Sequence, residues 1–274
     1  MELIEHYFKD HKTWFSENTV KVYRISLKHF FDFVGKPYDE VKKADIRKWL
    51  EYLNKKGLSI GTKNLRLISV RLFFRYAFEE GLIDRDPSAN IKTARKEKTI
   101  PRCLNRRQLI ELFEVTKDSV RDRTLVEMLY ATGTRISELL EIKISDIKWD
   151  GKLAWIRKGK GNKERFVLFT TECGARLREY LKTRTDASPY IFTNRRGGHL
   201  SEAWVQAIFR RYSEKLGFKV TPHMLRHSMA SHLAEKDMPI AYIQELLGHK
   251  NVNTTRIYAQ LSSEKRKEQY DSYQ

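Results

Sequence analysis

Cysteine is almost absent from this chain. The sequence has two cysteines in 274 residues, Cys103 and Cys173, and they form no C-x-x-C pair. Disulfide frameworks and paired-thiol redox or metal motifs need closely spaced cysteines, so the pattern indicates none of them. We therefore interpret both residues as free thiols in a reducing compartment.

Long hydrophobic runs are also missing. No apolar stretch approaches the roughly 20 residues that cross a bilayer. The first ten residues, MELIEHYFKD, contain acids and lack the hydrophobic core of a signal peptide. Charged residues make up 32% of the chain, so the composition predicts a cytoplasmic protein with no membrane partner.

Acidic residues are in the minority. Lys and Arg number 53 against 35 Asp and Glu, which gives a net charge of +18 at pH 7. A positive field of this size indicates a polyanionic partner, most often nucleic acid. A membrane surface is the less favoured alternative, because no basic amphipathic helix with an apolar Trp/Leu face is evident.

The length and the 41% hydrophobic content are sufficient for two packed cores. Residues 1–93 repeat apolar positions at helical spacing, with Ser16 and Ser59 as N-caps and Gly35 and Gly81 as stops. The helical segments are LIEHYFKDHKTW, ENTVKVYRISLKHFFDFVG, KKADIRKWLEYLNKKG and SIGTKNLRLISVRLFFRYAFEEG. This part of the chain is predicted to be an all-helical bundle.

Residues 94–103, ARKEKTIPRC, lose the helical periodicity and are rich in Lys and Arg, and Pro101 ends any continuing helix. The composition predicts a basic linker. Two roles fit this composition. The segment can be a solvated spacer, or it can follow the DNA strand that crosses between the two domains on one duplex.

Residues 104–262 combine helical segments with one alternating stretch. DIKWDGKLAWIRKGKGNKERFVLFT alternates apolar and polar residues around Gly-containing turns, as a small antiparallel sheet does. Helical spacing occurs in RRQLIELFEVT, VRDRTLVEMLYAT, TRISELLE, ECGARLREYLKT, SEAWVQAIFRRYSEKLG, TPHMLRHSMASHLAEK, PIAYIQELLG and NTTRIYAQL. We predict a second domain that is mixed but mainly α, followed by a polar tail over residues 263–274.

The segment TPHMLRHS has two chemical interpretations. His223 and His227 are four residues apart, so on a helix they share a face and can hold a metal ion. His223 and Arg226 are three apart and suit a phosphate, because a guanidinium matches phosphate oxygens and an imidazole can move a proton.

The surrounding residues favour the phosphate. Met224 stands where the helical metal motif H-E-x-x-H has Glu, and no third ligand is indicated at a familiar spacing. Thr221 and Pro222 are typical of a helix start, where backbone N–H groups favour an anion. Two partly buried polar side chains without a function remain the ordinary alternative.

Three other segments offer groups suited to phosphate chemistry. ATGTRISELLEI places Arg135 at a helix start with Glu138 one turn on, and KGKGNKER places Lys160 between two glycines of a hairpin turn. LLGHKNVNTTRIY places His249 after a helix stop and Tyr258 on the next short helix. Taken singly, these are an ordinary helix start, a phosphate-contacting hairpin and a core tyrosine.

Taken together, the ordered motifs ATGTRISELL, GKGNKER, HMLRHSMASHL and LLGHKNVNTTRIY resemble those of the tyrosine recombinase, or phage-type integrase, family and are most similar to its Xer branch. The resemblance covers nearly the whole chain. It implies that residues 1–93 form a core-binding, SAM-like DNA clamp and that residues 104–262 form the catalytic domain. Residues 263–274 correspond to a region that family members dock on a neighbouring subunit.

The resemblance also assigns chemical roles. Tyr258 is implied to be the nucleophile, which becomes joined to DNA as a 3′-phosphotyrosine. Arg135 and Arg226 are implied to bind the nonbridging oxygens of the scissile phosphate, and Lys160 to be the general acid for the leaving 5′ oxygen. This chemistry uses no metal, no ATP and no other cofactor.

Supporting roles follow from the same resemblance. His223 is implied to assist proton transfer at Tyr258, and His249 to donate a hydrogen bond to the phosphate. Glu138 matches the acidic position that supports the family's site. His227 belongs to the same segment as His223, and we interpret it as a packing or supporting residue.

The implied function is site-specific recombination of double-stranded DNA by a tetramer on two sites, either a homo-oligomer or a hetero-tetramer with a second recombinase. Similarity to the Xer branch implies resolution of chromosome dimers at a dif-like site in the nucleoid. An integrase or resolvase of a mobile element or plasmid is the alternative, although no accessory arm-binding domain is evident. A type IB topoisomerase and a catalytically inactive DNA-binding protein are the alternatives from other classes.

Overall fold

The computed structural model describes residues 2–95, 102–157, 164–194 and 196–248. The chain divides into two compact units, Met1–Lys98 and Thr99–Gln274, and each has its own hydrophobic core. Within the described ranges, no helix combines the length and the apolar character that a bilayer crossing needs. The helix predicted at NTTRIYAQL lies outside the described residues.

The first unit is the all-helical bundle predicted from the spacing of apolar residues. Its helices are α1 (Glu2–Asp10), α2 (Glu17–Val34), α3 (Lys43–Lys55) and α4 (Ile60–Glu79), with a 3₁₀ turn at Tyr38–Glu40. The hydroxyl oxygen of Ser16 caps α2 by accepting from the Thr19 N–H at 3.2 Å. Ser59 caps α4 in the same way through Thr62, at 3.1 Å.

Aromatic side chains dominate the core of this unit. Phe30, Trp49 and Phe74 are fully buried, and the Phe30 and Trp49 rings meet edge to face with centroids 5.0 Å apart. The indole N–H of Trp49 donates to Nδ1 of His29 at 3.1 Å, so its polar atom has a partner. Packing therefore accounts for the apolar stripes of this bundle.

The second unit is mainly α with one small sheet, as predicted. Its described helices are α5 (Arg106–Val115), α6 (Val120–Thr132), α7 (Ile136–Leu140), α8 (Thr171–Lys182), α9 (Glu202–Leu216), α10 (Pro222–Glu235) and α11 (Ile240–Leu247). A 3₁₀ turn (Ile144–Asp146) and the strands β1 (Ile147–Lys148), β2 (Leu153–Ile156) and β3 (Arg165–Leu168) lie between α7 and α8. Helix α7 begins at Ile136 rather than at Thr134, because Arg135 is still extended, with φ −70° and ψ 152°.

The three strands form an antiparallel sheet in the order β1-β2-β3. Ala154 pairs with Val167, and Ile156 pairs with Arg165, so these four side chains share one face. Ala154, Ile156 and Val167 are buried on that face. Arg165 therefore points to the interior side of the sheet, toward the helices.

Helix α6 runs through the core of the second unit and packs against α8 and α10. Its fully buried apolar residues are Leu125, Val126, Met128 and Leu129. The helix ends at Gly133, which has a left-handed backbone with φ 57°. A Cβ at Gly133 would lie 3.1 Å from side-chain atoms of Leu247 and Met229, so the end of α6 fits closely against α10 and α11.

We expect Gly133→Ala to lower the free energy of unfolding more than Gly217→Ala does. Gly217 also ends a helix in the left-handed region, with φ 71°, but nothing lies within 4 Å of a Cβ at that position. The control should cost about 1 kcal/mol from the backbone alone. Displacement of Leu247 and Met229 should bring Gly133→Ala to about 2–3 kcal/mol. Urea unfolding measures both losses, and equal values would contradict close packing at the end of α6.

Candidate active site

The N-terminus of α7 holds the first predicted pair, Arg135 and Glu138. Arg135 is the N-cap, and its backbone N–H donates to Oε2 of Glu138 at 2.8 Å. Nη1 of the Arg135 guanidinium donates to Oε1 of the same carboxylate at 2.6 Å. A carboxylate in the first turn complements the positive end of a helix. Because the two residues are three apart, the Glu138 carboxylate reaches both the backbone N–H and the guanidinium of Arg135 and orients them.

A second guanidinium, that of Arg165 on β3, contacts the same carboxylate. Its Nη1 and Nη2 donate to Oε1 and Oε2 of Glu138 at 3.0 and 2.8 Å, as a bidentate pair. Glu138 is 3% exposed, and burial by itself raises the pKa of its carboxyl. Hydrogen bonds from Arg165 and from the Arg135 backbone, together with both positive charges, outweigh burial and lower this pKa to about 2. Glu138 is therefore an ionised carboxylate between two arginines.

Composition did not distinguish Arg165 from the other basic residues around Lys160. The signal that identifies it is its alternation with Val167 along β3, which places Arg165 on the buried face of the strand. A basic side chain on a buried face needs acceptors that replace water, such as a carboxylate or backbone carbonyls. The sequence does not indicate which residue supplies them, because Glu138 is 27 residues away along the chain.

Arg226 on α10 is held by the ends of two other helices. It is 2% exposed, and among its contacts Nη1 donates to the Gly133 carbonyl at 2.5 Å and Nη2 to the Leu247 carbonyl at 2.6 Å. These carbonyls lie at the C-termini of α6 and α11, where the helix dipoles are negative and favour a cation. The capping of α10 that the sequence predicted is confirmed, since Thr221 Oγ1 accepts from the Met224 N–H at 3.2 Å.

His223 and His227 form a hydrogen-bonded pair on α10. Their Nε2 atoms are 2.9 Å apart and their rings are nearly perpendicular, so one imidazole donates and the other accepts. Desolvation, then the charges of Arg226 and Arg135, lower the pKa of His223 below 6.5. Desolvation, then His223 and Arg226, lower the pKa of His227 to about 4. Within the described part of the chain, no third His, Cys, Asp or Glu joins them as a metal site.

The structure brings four predicted site residues together: Arg135, Glu138, His223 and Arg226. The Gly133 carbonyl that binds Arg226 lies two residues before Arg135, and both arginines act electrostatically on His223. Arg135 and Arg165 contact one carboxylate, and Arg226 lies near His223, so three guanidinium groups stand against a single negative charge. The cluster is therefore positive and suits an anion.

The other predicted site residues, Lys160, His249 and Tyr258, lie outside the described residues. Their described neighbours belong to the same cluster. The Leu247 carbonyl that contacts Arg226 is two residues before His249, and Arg165 is five residues after Lys160.

Comparison with known proteins identifies the family. Residues 102–265 match the phage integrase family, and residues 4–81 match the phage integrase N-terminal SAM-like domain. Tyrosine recombinase XerA of Pyrococcus furiosus is 37% identical over 257 residues, which are 92% of this chain and 87% of the relative. Tyrosine recombinase XerC of Leptospira interrogans is 33% identical over an alignment of 279 positions, which covers 96% of this chain and 89% of the relative.

A solved structure shares the fold. The XerH site-specific recombinase bound to a palindromic difH substrate, in a post-cleavage complex, has a TM-score of 0.77 at 24% sequence identity. The likeness covers 93% of this chain and 79% of that one. The resemblance to the Xer branch is confirmed by these matches over nearly the whole chain. The chain therefore belongs to the phage integrase family, and it is a tyrosine site-specific DNA recombinase.

Proposed function

We propose that this chain cleaves and rejoins double-stranded DNA through a 3′-phosphotyrosine intermediate formed by Tyr258. The observation that carries the proposal is the positive cluster in which Arg135 and Arg165 hold Glu138 and Arg135 and Arg226 act on His223. Such a cluster favours a phosphate, and a scissile phosphate is the substrate group that a tyrosine recombinase must bind.

In this proposal, the hydroxyl oxygen of Tyr258 attacks the scissile phosphorus, and the bond from phosphorus to the 5′ oxygen breaks. Arg135 and Arg226 bind the nonbridging oxygens, on which negative charge builds in the transition state. His249 donates a further hydrogen bond, and Lys160 protonates the departing 5′ oxygen. The intermediate is still a phosphate ester, so attack by a second 5′ hydroxyl rejoins the DNA without ATP.

Preorganisation supports the assignment of the phosphate to Arg135 and Arg226. Two backbone carbonyls orient the Arg226 guanidinium, and Glu138 orients that of Arg135. Groups that are already oriented stabilise developing charge without the cost of reorganisation during the reaction.

The imidazole pair supports a role for His223 in proton transfer. Burial and the charges of Arg226 and Arg135 lower the pKa of His223, which favours the neutral imidazole that can accept the phenolic proton of Tyr258. His227 keeps its Nε2 2.9 Å from that of His223, so it can hold the His223 ring in one orientation and tautomer.

We assign DNA clamping to residues 1–93, catalysis to residues 104–262, and a strand-following role to the basic linker over residues 94–103. The paired hydrogen bonds between the Asn64 side chain and the Ala94 backbone, at 2.8 and 3.0 Å, support this division. They fix the first residue of the linker on α4, so the linker starts at a defined point of the first unit.

We further infer that the chain works as a tetramer on two DNA sites, alone or with a second recombinase, at the nucleoid. Resolution of chromosome dimers at a dif-like site is supported by the similarity to XerA and XerC recombinases, and by the shared fold with XerH bound to difH. Sequencing the covalently trapped DNA from the chain's own genome tests this role. One chromosomal site supports it, whereas the ends of a mobile element indicate an integrase or resolvase.

We expect the chain to exchange DNA between two candidate sites on one plasmid and to leave a plain supercoiled plasmid unrelaxed. The exchange should pass through a covalent protein–DNA adduct that survives denaturation. Tyr258→Phe, the matched control that lacks only the hydroxyl, should bind site DNA normally and give neither adduct nor product. Relaxation of the plain plasmid would indicate a topoisomerase, and an adduct in the control would move the nucleophile to Tyr270 or Tyr273.

Lys160→Ala should lose roughly 10² to 10⁴ in cleavage rate if Lys160 is the general acid. In a substrate with sulfur in place of the bridging 5′ oxygen, the leaving strand departs as a thiolate and needs no proton. This substrate should therefore restore most of the cleavage rate of Lys160→Ala. Arg226→Ala should stay slow on the sulfur substrate, because that substrate still needs charge stabilisation at the nonbridging oxygens. Rescue of Lys158→Ala or Lys163→Ala instead of Lys160→Ala would assign the acid to another lysine.

We also propose that the tail over residues 263–274 mediates contacts between subunits. The tail is mostly polar and follows the last segment that carries catalytic residues.

Deleting the residues after Ser263 should therefore leave binding to a single site nearly intact and weaken synapsis or coordinated cleavage. Gel-shift titrations with one site and recombination assays with two sites separate these effects. Unchanged recombination by the truncated chain would remove the proposal.

A further inference from the structure

We propose that Arg165 is a positioning residue for the cleavage reaction: it holds Glu138 so that Arg135 stays aimed at the phosphate and the cluster stays positively charged. This inference rests on the proposed role of Arg135. It assigns a task to a side chain that contacts neither DNA nor the reacting atoms in the proposed mechanism.

The geometry indicates that Arg165 acts through Glu138. Its two terminal nitrogens bind the two carboxylate oxygens, at 3.0 and 2.8 Å, and its side chain is 16% exposed. Within the described ranges, Nε of Arg165 is buried without a hydrogen-bond partner. The hydrogen bonds that orient this side chain are therefore those of its bidentate contact with Glu138. Arg135 contacts the same two oxygens from its backbone N–H and its Nη1.

Charge explains why this contact matters for catalysis. Glu138 orients Arg135, but a buried carboxylate beside a phosphate site also repels the phosphate. Arg135 and Glu138 alone form a neutral pair, which attracts an anion weakly. Addition of Arg165 leaves one net positive charge on the three groups, so Arg135 keeps its orientation while the repulsion from Glu138 is offset.

Arg165 also touches the chain segment that leads to His249. A Cβ built on Gly248 would lie 2.9 Å from Nε and 3.0 Å from Cδ of Arg165, so the guanidinium packs directly against this glycine. The preceding residue, Leu247, gives its carbonyl to Arg226. One side chain on β3 therefore contacts both the start of α7 and the end of α11.

Arg157 provides a matched control at the other strand of the same hairpin. Its Nε donates to Oδ1 of Asp146 at 2.9 Å, and Asp146 is 4% exposed. Arg157 therefore also ties the hairpin to a buried carboxylate. Asp146 lies in the 3₁₀ turn and accepts from the Lys143 N–H, and among the described residues it makes no contact with Arg135. Arg157 therefore anchors the hairpin without orienting Arg135.

The test compares Arg165→Met, Arg165→Lys and Arg157→Met in the full-length chain, with site affinity and single-turnover cleavage as readouts. Arg165→Met should bind its site within about threefold of the unmodified chain and cleave roughly 10²-fold more slowly, because a small misorientation of a catalytic group has that effect. Arg165→Lys keeps the charge but loses the fork geometry, so its loss should be smaller. Arg157 precedes Lys160 by three residues, so Arg157→Met can slow cleavage through the general acid, and the sulfur-bridged substrate should restore any rate that this variant loses.

Two further readouts separate positioning of Arg135 from general damage. The sulfur-bridged substrate should fail to rescue Arg165→Met, because Arg135 acts on nonbridging oxygens. Combining Arg165→Met with Glu138→Gln should cleave no more slowly than Arg165→Met alone, because the charge that Arg165 offsets is then gone. A structural role alone would give losses that multiply.

Several results would overturn the inference. These are normal cleavage by Arg165→Met, full rescue of Arg165→Met by the sulfur substrate, multiplying losses with Glu138→Gln, or an equal loss in Arg157→Met that the sulfur substrate does not restore. If Arg165→Met does not fold, Arg165→Lys is used in the same comparisons. A normal cleavage rate of Arg165→Lys would then contradict the claim that the bidentate guanidinium contact with Glu138 is needed. The covalent adduct of the unmodified chain tests the recombinase mechanism separately. Normal cleavage by the Arg165 variants would therefore contradict the role of Arg165 and not the phosphotyrosine mechanism.

Discussion

The burial of Arg226 constrains much of the second unit. A guanidinium that is 2% exposed is tolerated only where strong acceptors replace water, and here the carbonyls of Gly133 and Leu247 do so. Both belong to helix C-termini, whose dipoles add a favourable field. The position of the guanidinium therefore depends on where α6 and α11 end. Gly133 and Gly248 fix those ends with left-handed backbones, φ 57° and 62°.

Arg135 is oriented by a different device. Its partner is a carboxylate in its own short helix, so the contact is formed locally as soon as α7 forms. The local contact alone gives a neutral pair, and the more distant Arg165 restores the positive charge. The two proposed phosphate-binding arginines thus depend on different parts of the fold, one on helix ends and the other on the sheet.

Packing of the apolar core makes the hydrogen-bonded arrangements around both arginines rigid. Helix α6 is buried along the core, and its C-terminus meets α10 and α11 closely enough that a single added carbon at Gly133 would contact two side chains at 3.1 Å. A close-packed interior does not let polar groups drift by more than small amounts. The guanidinium and imidazole groups of the cluster are therefore held in place by packing as well as by hydrogen bonds.

The sequence by itself determined what depends on near neighbours along the chain. The described helices of both units, the caps at Ser16, Ser59 and Thr221, and the alternation of the small sheet follow from spacing and from local hydrogen bonds. The pairing of Arg135 with Glu138 also follows from local spacing, because three residues make one helical turn. The order of the motifs was sufficient to indicate the family.

Only the tertiary structure decided which distant groups meet. Arg226 reaches carbonyls that are 93 and 21 residues away, and Arg165 reaches a carboxylate 27 residues away. The spacing of His223 and His227 placed the two imidazoles on one face of a helix, and only the structure shows that their Nε2 atoms approach to 2.9 Å. Periodicity specifies the face on which a side chain lies, but the partner on the opposing face is set by how the helices and the sheet pack together.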